Sequence, residues 1–290
     1  MIYNLSTIPS DIIWPDVYFT PEYGATQQTN GFEWECYIDD DFLYVYLIRI
    51  PDIKSVYGYG GMYLWGLHNQ EKFDRYRNKF IKVQKQRGVT TEFIRKNPYL
   101  DSLNITDVEP FLSRKTFGVQ LDYELYWKKC KGDHRNMVRK GGKINYNFTI
   151  KKIEWCDVCP DSPFRNLYNS TMKNINADEN YIFSDEYYLA LLAVKDVYIA
   201  FASNEGKIVG VALFLVHTPY IHYHLSGSDK SSNCITDFII HGVIEWCCKH
   251  RHDLNLLHLG GGVKPGDYLE KFKSKIATDV YEYNIYNKCL

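Results

Sequence analysis

The alternation and clustering of apolar positions divide the chain into short elements. Residues 32–37 and 42–50 are two strand-like runs around Asp39-Asp40-Asp41, which predicts a hairpin. Residues 69–87 read as a strongly charged helix and 90–95 as a strand. An irregular Pro/Asp/Asn stretch over 97–110 follows, and 116–121 read as a short strand leading into a helix. Further on, the pattern predicts a helix over 123–139, a strand over 146–155, and helices over 164–173 and 185–195. Residues 197–203 and 207–217 form a second predicted hairpin across Asn204-Glu205-Gly206, and 220–226 alternate with period two. A helix over 236–249, a strand over 254–259, a helix over 267–275 and a strand over 280–286 complete the chain. The fold class is α+β (mixed α/β), with mixed central sheets flanked by helices. Two domains are expected, 1–120 and 121–290, with the last strand free to pack back on the first.

One stretch stands apart from this pattern. Leu256-Leu257-His258-Leu259 is an apolar strand that runs into Gly260-Gly261-Gly262. Three glycines cost chain entropy unless the backbone needs a positive φ or a close approach. Asp267 then stands where a helix N-cap is needed. The spacing is not that of a dinucleotide-binding GxGxxG loop, so the triplet is read as the turn that brings in the helix of Phe272-Lys273.

Composition narrows the functional classes. A formal net charge of −1 argues against general nucleic-acid binding, and no DNA partner is expected. No apolar run approaches the roughly 18–20 residues of a membrane span. The N-terminus lacks the basic start and apolar core of a secretion signal, so the expected location is cytoplasmic. Eight cysteines suit a reducing compartment. Cys156-Asp157-Val158-Cys159 and Cys247-Cys248 with His250 and His252 have zinc-like spacing, yet the expectation is buried thiols and no metal.

Three places carry candidate chemistry. Between Lys128 and Lys152 stand nine cations (128, 129, 131, 135, 139, 140, 143, 151, 152) and one acid, Asp133. Such a local excess is either a solvated helix face or a grip for phosphates, with Arg135 and Arg139 able to bind oxygens in bidentate fashion and Lys140 beside them. The loop Ser55-Val56-Tyr57-Gly58-Tyr59-Gly60-Gly61 is either a tight connection or a place where a substrate lies close to the backbone, with Tyr57 and Tyr59 stacking or hydrogen-bonding. Along residues 220–226, alternation puts His222, His224 and Ser226 on one face. The strand then runs into Gly227-Ser228-Asp229, where His224 or Asp229 would relay a proton.

With the loop at 55–61, the segment His134-Arg135-Asn136-Met137-Val138-Arg139-Lys140-Gly141 and the motif from His258 through Lys273, the chain resembles the FemAB/FemX-like (BioF2-like) branch of the GNAT acyltransferase superfamily. The resemblance implies tandem GNAT-like (acyl-CoA N-acyltransferase) domains with an acceptor cleft between them. It implies transfer of an acyl group from acyl-CoA to an amine of a phosphate-containing cell-envelope precursor, a small-molecule or lipid-linked amino sugar, with no tightly bound cofactor. The alternatives are an aminoacyltransferase using aminoacyl-tRNA on a peptidoglycan precursor, or a non-catalytic relative that binds a glycan precursor. Under the resemblance Lys273 contacts an acceptor phosphate, and Ser226, Gly227 and Ser228 lie at the donor. One departure matters: the segment Gly227-Ser228-Asp229-Lys230-Ser231-Ser232-Asn233-Cys234-Ile235 lacks the Q/R-x-x-G-x-G/A pattern that cradles a CoA pyrophosphate at a helix N-terminus.

Overall fold

The computed structural model describes residues 1–28, 31–66, 69–100, 103–230 and 234–290. The chain divides into two compact units, Met1–Lys115 with Tyr281–Leu290, and Thr116–Val280. The division thus falls five residues before the position read from the sequence, and the final strand segment belongs with the first unit.

In the first unit, strands β1 (Ile2–Asn4), β2 (Glu33–Asp39) and β3 (Phe42–Arg49) pair antiparallel, with helix α1 (Pro21–Ala25) between β1 and β2 in sequence. The β2–β3 hairpin turns at Asp40, whose φ is +51°. Both β4 (Asp52–Lys54) and β5 (Gly61–Leu64) pair antiparallel with β3. Helix α2 (Gln70–Gln86) then leads to β6 (Thr91–Arg95), which runs parallel to β4. The core is aromatic, with Phe42, Tyr44, Tyr46, Phe73, Tyr76 and Phe80 buried together. Arg77 is buried with them and is neutralised by Glu92, so the charge is paired rather than stranded.

The second unit opens within β7 (Leu112–Gln120), from Thr116 on, and continues into α3 (Tyr123–Lys129) and α4 (Gly132–Lys143). The single helix expected over 123–139 is two, because the amide of Lys131 donates to the carbonyl of Lys275 instead of continuing the helical ladder. Strand β8 (Asn147–Lys152), α5 (Trp155–Val158), α6 (Pro163–Asn174) and α7 (Asp185–Leu191) follow. Next come β9 (Val197–Asn204), β10 (Lys207–His217) and β11 (Tyr220–Ser228), then α8 (Ile235–His250), β12 (Leu256–Gly261), α9 (Tyr268–Ile276) and β13 (Asp279–Cys289). Beyond Val280, β13 belongs to the first unit, where it pairs antiparallel with β6.

The sheet of the second unit runs β7-β12-β11-β10-β9-β8, antiparallel throughout except for the parallel β11–β12 pair. Helices α8 and α6 cover opposite faces. A side chain at Gly210 on β10 would collide with Ile235 of α8, whereas one at Gly227, paired with the next β10 residue Val211, would collide with the backbone of α6 at Leu167 and Tyr168. Val211, Phe214, Ile239, Val243, Leu257 and Leu259 are among the residues buried in this unit. Ser162 starts α6 by accepting from the Arg165 amide, with Pro163 at the first helical position.

A candidate active site around Lys273

Two β-bulges shape the middle of the second unit. On β11, Leu225 pairs with Leu213 and Tyr223 with Phe214, which leaves His224 as the extra residue. On β12, His258 pairs with Gly118 and Gly260 with Phe117, so Leu259 is extra, and Gly260 takes a φ of +75°. The first two glycines of the triplet are therefore the bulged end of a strand, where the sequence predicts a turn. Gly262 leaves room for the Asp267 carboxylate, which would lie 2.5 Å from an added Cβ.

That carboxylate organises the loop between β12 and α9. It accepts from the amides of Val263 (2.7 Å) and Lys264 (2.9 Å) and caps α9 by accepting from Glu270 (2.7 Å). Partial burial opposes its charge, but these amides outweigh burial and hold the carboxyl below its ordinary range. Two turns into α9, Lys273 is only 7% exposed, and its Nζ donates to the Gly261 carbonyl at 2.7 Å. The amine also lies over the Tyr223 ring, 6.0 Å from its centroid. Burial pushes Lys273 down to about 7, with Asp267 opposing the shift.

Beside it lies a polar cluster that the sequence does not announce. His222 and His258 face each other in register across the parallel β11–β12 pair, with their Nδ1 atoms 3.5 Å apart. His258 Nε2 bonds the Thr116 hydroxyl. Burial first, then the neighbouring His222 and Lys273, push His258 well below the usual imidazole range, so it stays neutral. A histidine inside the apolar run Leu256–Leu259 was the available signal; its pairing with His222 is set by strand register alone.

The residues singled out in the sequence separate. His224 packs on α7, with Nε2 at 2.5 Å from the Tyr187 hydroxyl, and burial pushes it down to about 3. The bulge also breaks the alternation that put His222, His224 and Ser226 on one face. Asp229 sits half-exposed, 3.9 Å from Lys207. Ser226 accepts from the Tyr223 hydroxyl, and the Ser228 amide donates to Thr171 Oγ1 at 3.1 Å. At Gly227 an added Cβ would stand 2.4 Å from the Tyr168 backbone nitrogen, so this glycine makes room for α6. Residues 231–233 of the segment compared with a CoA loop lie outside the described residues.

Arg135 does not face outward to grip phosphate. Its guanidinium donates to the Trp127 carbonyl (3.1 Å) and the Cys130 carbonyl, closing the end of α3. Arg139 and Lys140 are exposed on α4. In the first unit, the Tyr57 carbonyl accepts from the Tyr23 hydroxyl at 2.7 Å, and the Tyr59 ring is buried edge-on to Tyr18 and Tyr283. The Tyr59 ring is thus built into the packing of its loop, and of Tyr57 it is the backbone carbonyl that is engaged.

A second buried network joins α3, α4, α8 and α9. The Tyr126 hydroxyl bonds His134 Nε2 (2.6 Å) and His241 Nδ1 (3.1 Å). His134 Nδ1 bonds Asp237 Oδ1 (2.6 Å), and Lys275 Nζ lies 3.0 Å from the same carboxylate. This network fixes α9, and with it Lys273, against α4 and α8.

Of the two zinc-like cysteine patterns, Cys247 is buried and burial pushes its thiol up to about 12, which removes it as a thiolate ligand. Among the described residues Glu154, Cys156 and Asp157 place ligand atoms within 4.8 Å of one another. Both carboxylates are already bonded by the Lys151 ammonium, at 2.8 and 3.0 Å.

No protein-family model matches this sequence, and no curated protein does either. Solved structures do match its shape. FemX superimposes with a TM-score of 0.67 at 12% identity, covering 95% of this chain and 92% of that one. The C-terminal domain (DUF2156) of a protein named as a lysylphosphatidylglycerol synthetase from Agrobacterium fabrum gives 0.63 at 14% identity, over 91% and 84%. L-PGS from Bacillus licheniformis gives 0.60 at 15% identity, over 92% and 85%. The chain therefore has the fold found in FemX and in these two proteins. Among the described residues no helix is long and apolar enough to cross a membrane.

Proposed function

We propose that this protein is an acyl- or aminoacyltransferase that forms an amide on the amino group of a phosphate-containing envelope precursor. The observation that carries the reading is Lys273, a buried amine near neutrality held by the Gly261 carbonyl at the bulged end of β12. Amide formation from an ester or thioester requires the acceptor amine to lose a proton as its nitrogen bonds the carbonyl carbon. A base with a midpoint near the working pH is best suited to take that proton and return it. Neutral Lys273 accepts the proton as the tetrahedral intermediate forms. Its ammonium form then stabilises the oxyanion and protonates the leaving hydroxyl or thiol as the donor bond breaks. His224, at about 3, is a much weaker base at neutral pH, so the proton-transfer role assigned to it passes to Lys273.

Two observations favour an aminoacyl ester over acyl-CoA as donor. The Ser226–Ser228 segment spends its polar groups on Tyr223 and Thr171, and Gly227 is filled by α6, which leaves little there to cradle a pyrophosphate. FemX and L-PGS share the fold. The test is turnover by purified protein of aminoacyl-tRNA and of acyl-CoA, each with a lipid-linked or nucleotide-linked amino-sugar or peptide acceptor. Lys273→Met, which conserves the buried volume, is expected to lower kcat by about 100-fold or more. Full activity in that variant, or consumption of neither donor, overturns the proposal.

A further inference from the structure

We propose that Arg95, Arg114 and Tyr283 form a binding site for the phosphate group of a small phosphate ester. All three belong to the first unit. Strand register places them together. Ile94 and Tyr286 pair across β6 and β13 and are buried in the core with α2. Arg95, opposite Ile285, therefore stands on the other face of the sheet, with Tyr283 two residues along. From β7, the Ser113 hydroxyl meets the Asn284 side chain at 2.6 Å, which turns the next residue, Arg114, to the Tyr283 side. Burial pushes the Tyr283 hydroxyl up, and Arg95, Tyr59 and Arg114 oppose that shift.

Both arginines are half-buried. Among the described residues neither guanidinium makes a hydrogen bond or an ion pair, and the Nε of Arg95 is buried with no acceptor. Arg165 offers the contrast: its Nε is likewise unmet, yet its other nitrogens reach the Val158 carbonyl (3.3 Å) and Asp185 (3.0 Å). Asp16, which acts with Arg95 on Tyr23, accepts from Asn97 (3.2 Å) and Tyr99 (3.3 Å) and from neither guanidinium. A buried donor without a partner is costly, and two cations that converge without an acid repel each other. A bound anion removes both costs. Two positive charges call for a dianion, and two guanidinium forks match phosphate oxygens, whereas a lone carboxylate leaves one charge unmatched. A nucleic-acid backbone is held by a series of phosphate contacts. A half-buried pair beside the Tyr59 and Tyr283 rings, 5.2 Å apart, suits one phosphate end of a small molecule.

The test is calorimetry of the full chain with inorganic pyrophosphate, uridine diphosphate and geranyl diphosphate. No acyl donor is present, so binding can fail while the transfer reaction stands, and the reverse. Pyrophosphate is expected to bind with a Kd at or below about 100 μM. Tighter binding of uridine diphosphate marks a nucleotide-borne phosphate, and tighter binding of geranyl diphosphate a lipid-borne one. Arg95→Gln and Arg114→Gln should each weaken binding about tenfold or more. Neither should lower the thermal transition of the free protein, since each removes a cation that has no partner. Should Arg95→Gln fold poorly, Arg114→Gln carries the same reading. Absence of binding by all three ligands at about 1 mM overturns the proposal. Unchanged affinity in a folded variant of either arginine also overturns it, as does malonate binding as tightly as pyrophosphate.

Discussion

The amine of Lys273 and the carbonyl of Gly261 are 2.7 Å apart, so the lysine of α9 is bonded directly to the glycine strand end that precedes it. The bond ties together two parts of one sequence motif. It holds a buried amine where its surroundings favour the neutral form.

The first prediction concerns that amine. Folding takes Lys273 to about 7, from an unfolded value of about 10.4. Between those values the unfolded chain keeps a proton that the folded chain has released, so this residue makes stability rise with pH across the window. Urea unfolding of the wild type and Lys273→Met at pH values from about 6 to 10 should show the wild type gaining on the variant as pH rises. Parallel curves would falsify the shifted lysine.

His224 gives a second, acidic window. Its midpoint falls from 6.5 to about 3, so the unfolded chain again binds the extra proton and stability climbs as pH rises from about 3 to 6.5. In His224→Gln that part of the climb should vanish, and a variant that tracks the wild type through acid unfolding refutes the assignment. At neutral pH, Tyr187→Phe should cost about 1 kcal/mol by removing the hydroxyl that meets Nε2.

Gly227 tests the fit of α6 on β11. A methyl group there would stand 2.4 Å from the Tyr168 nitrogen, and backbone cannot swing aside as a long side chain can. Gly227→Ala should lower stability by about 2–3 kcal/mol, read from the urea midpoint at unchanged slope. A neutral result means that the segment is open, and the case for a donor cradle returns.

Asp237 joins His134 and Lys275 while only 1% exposed. Removing it strands a buried polar partner, so Asp237→Ala should cost about 3–5 kcal/mol, and Asp237→Asn less, since an amide oxygen still accepts. Equal losses in the two variants, by thermal or urea unfolding, argue that the side chain only fills space.

Asp267 is the last. Asp267→Ala removes the acceptor of three amides at the start of α9 and should cost about 1–2 kcal/mol. Because Asp267 opposes the shift of Lys273, Asp267→Asn should lower the lysine midpoint further, measured by NMR of the methylated amine. A midpoint that rises or stays in place rejects this coupling.

Much of the second unit could be read from its sequence. The hairpin at Asn204-Glu205-Gly206, the period-two run of β11, the Asp267 cap and the long apolar helix α8 each follow from local spacing and cap chemistry. Local pattern failed at the break between α3 and α4, because the amide of Lys131 is taken by a carbonyl 144 positions further on. It failed again at His224, where a bulge shifted the register and moved the imidazole to Tyr187. Arg135 reads as a surface cation in a basic run, yet the end of α3 lies within its reach and takes its donors.

The sequence by itself determined most of the order of elements in the second unit, the place of the glycine triplet after an apolar strand and the position of Lys273 on the helix after it. Those depend on residues a few places apart, where sterics, caps and periodicity act. The tertiary structure alone decided that Lys273 is buried and near neutral, that His222 and His258 meet, and that Gly227 admits a helix. Burial, desolvation and register are set by elements distant in the chain, and no local pattern encodes them.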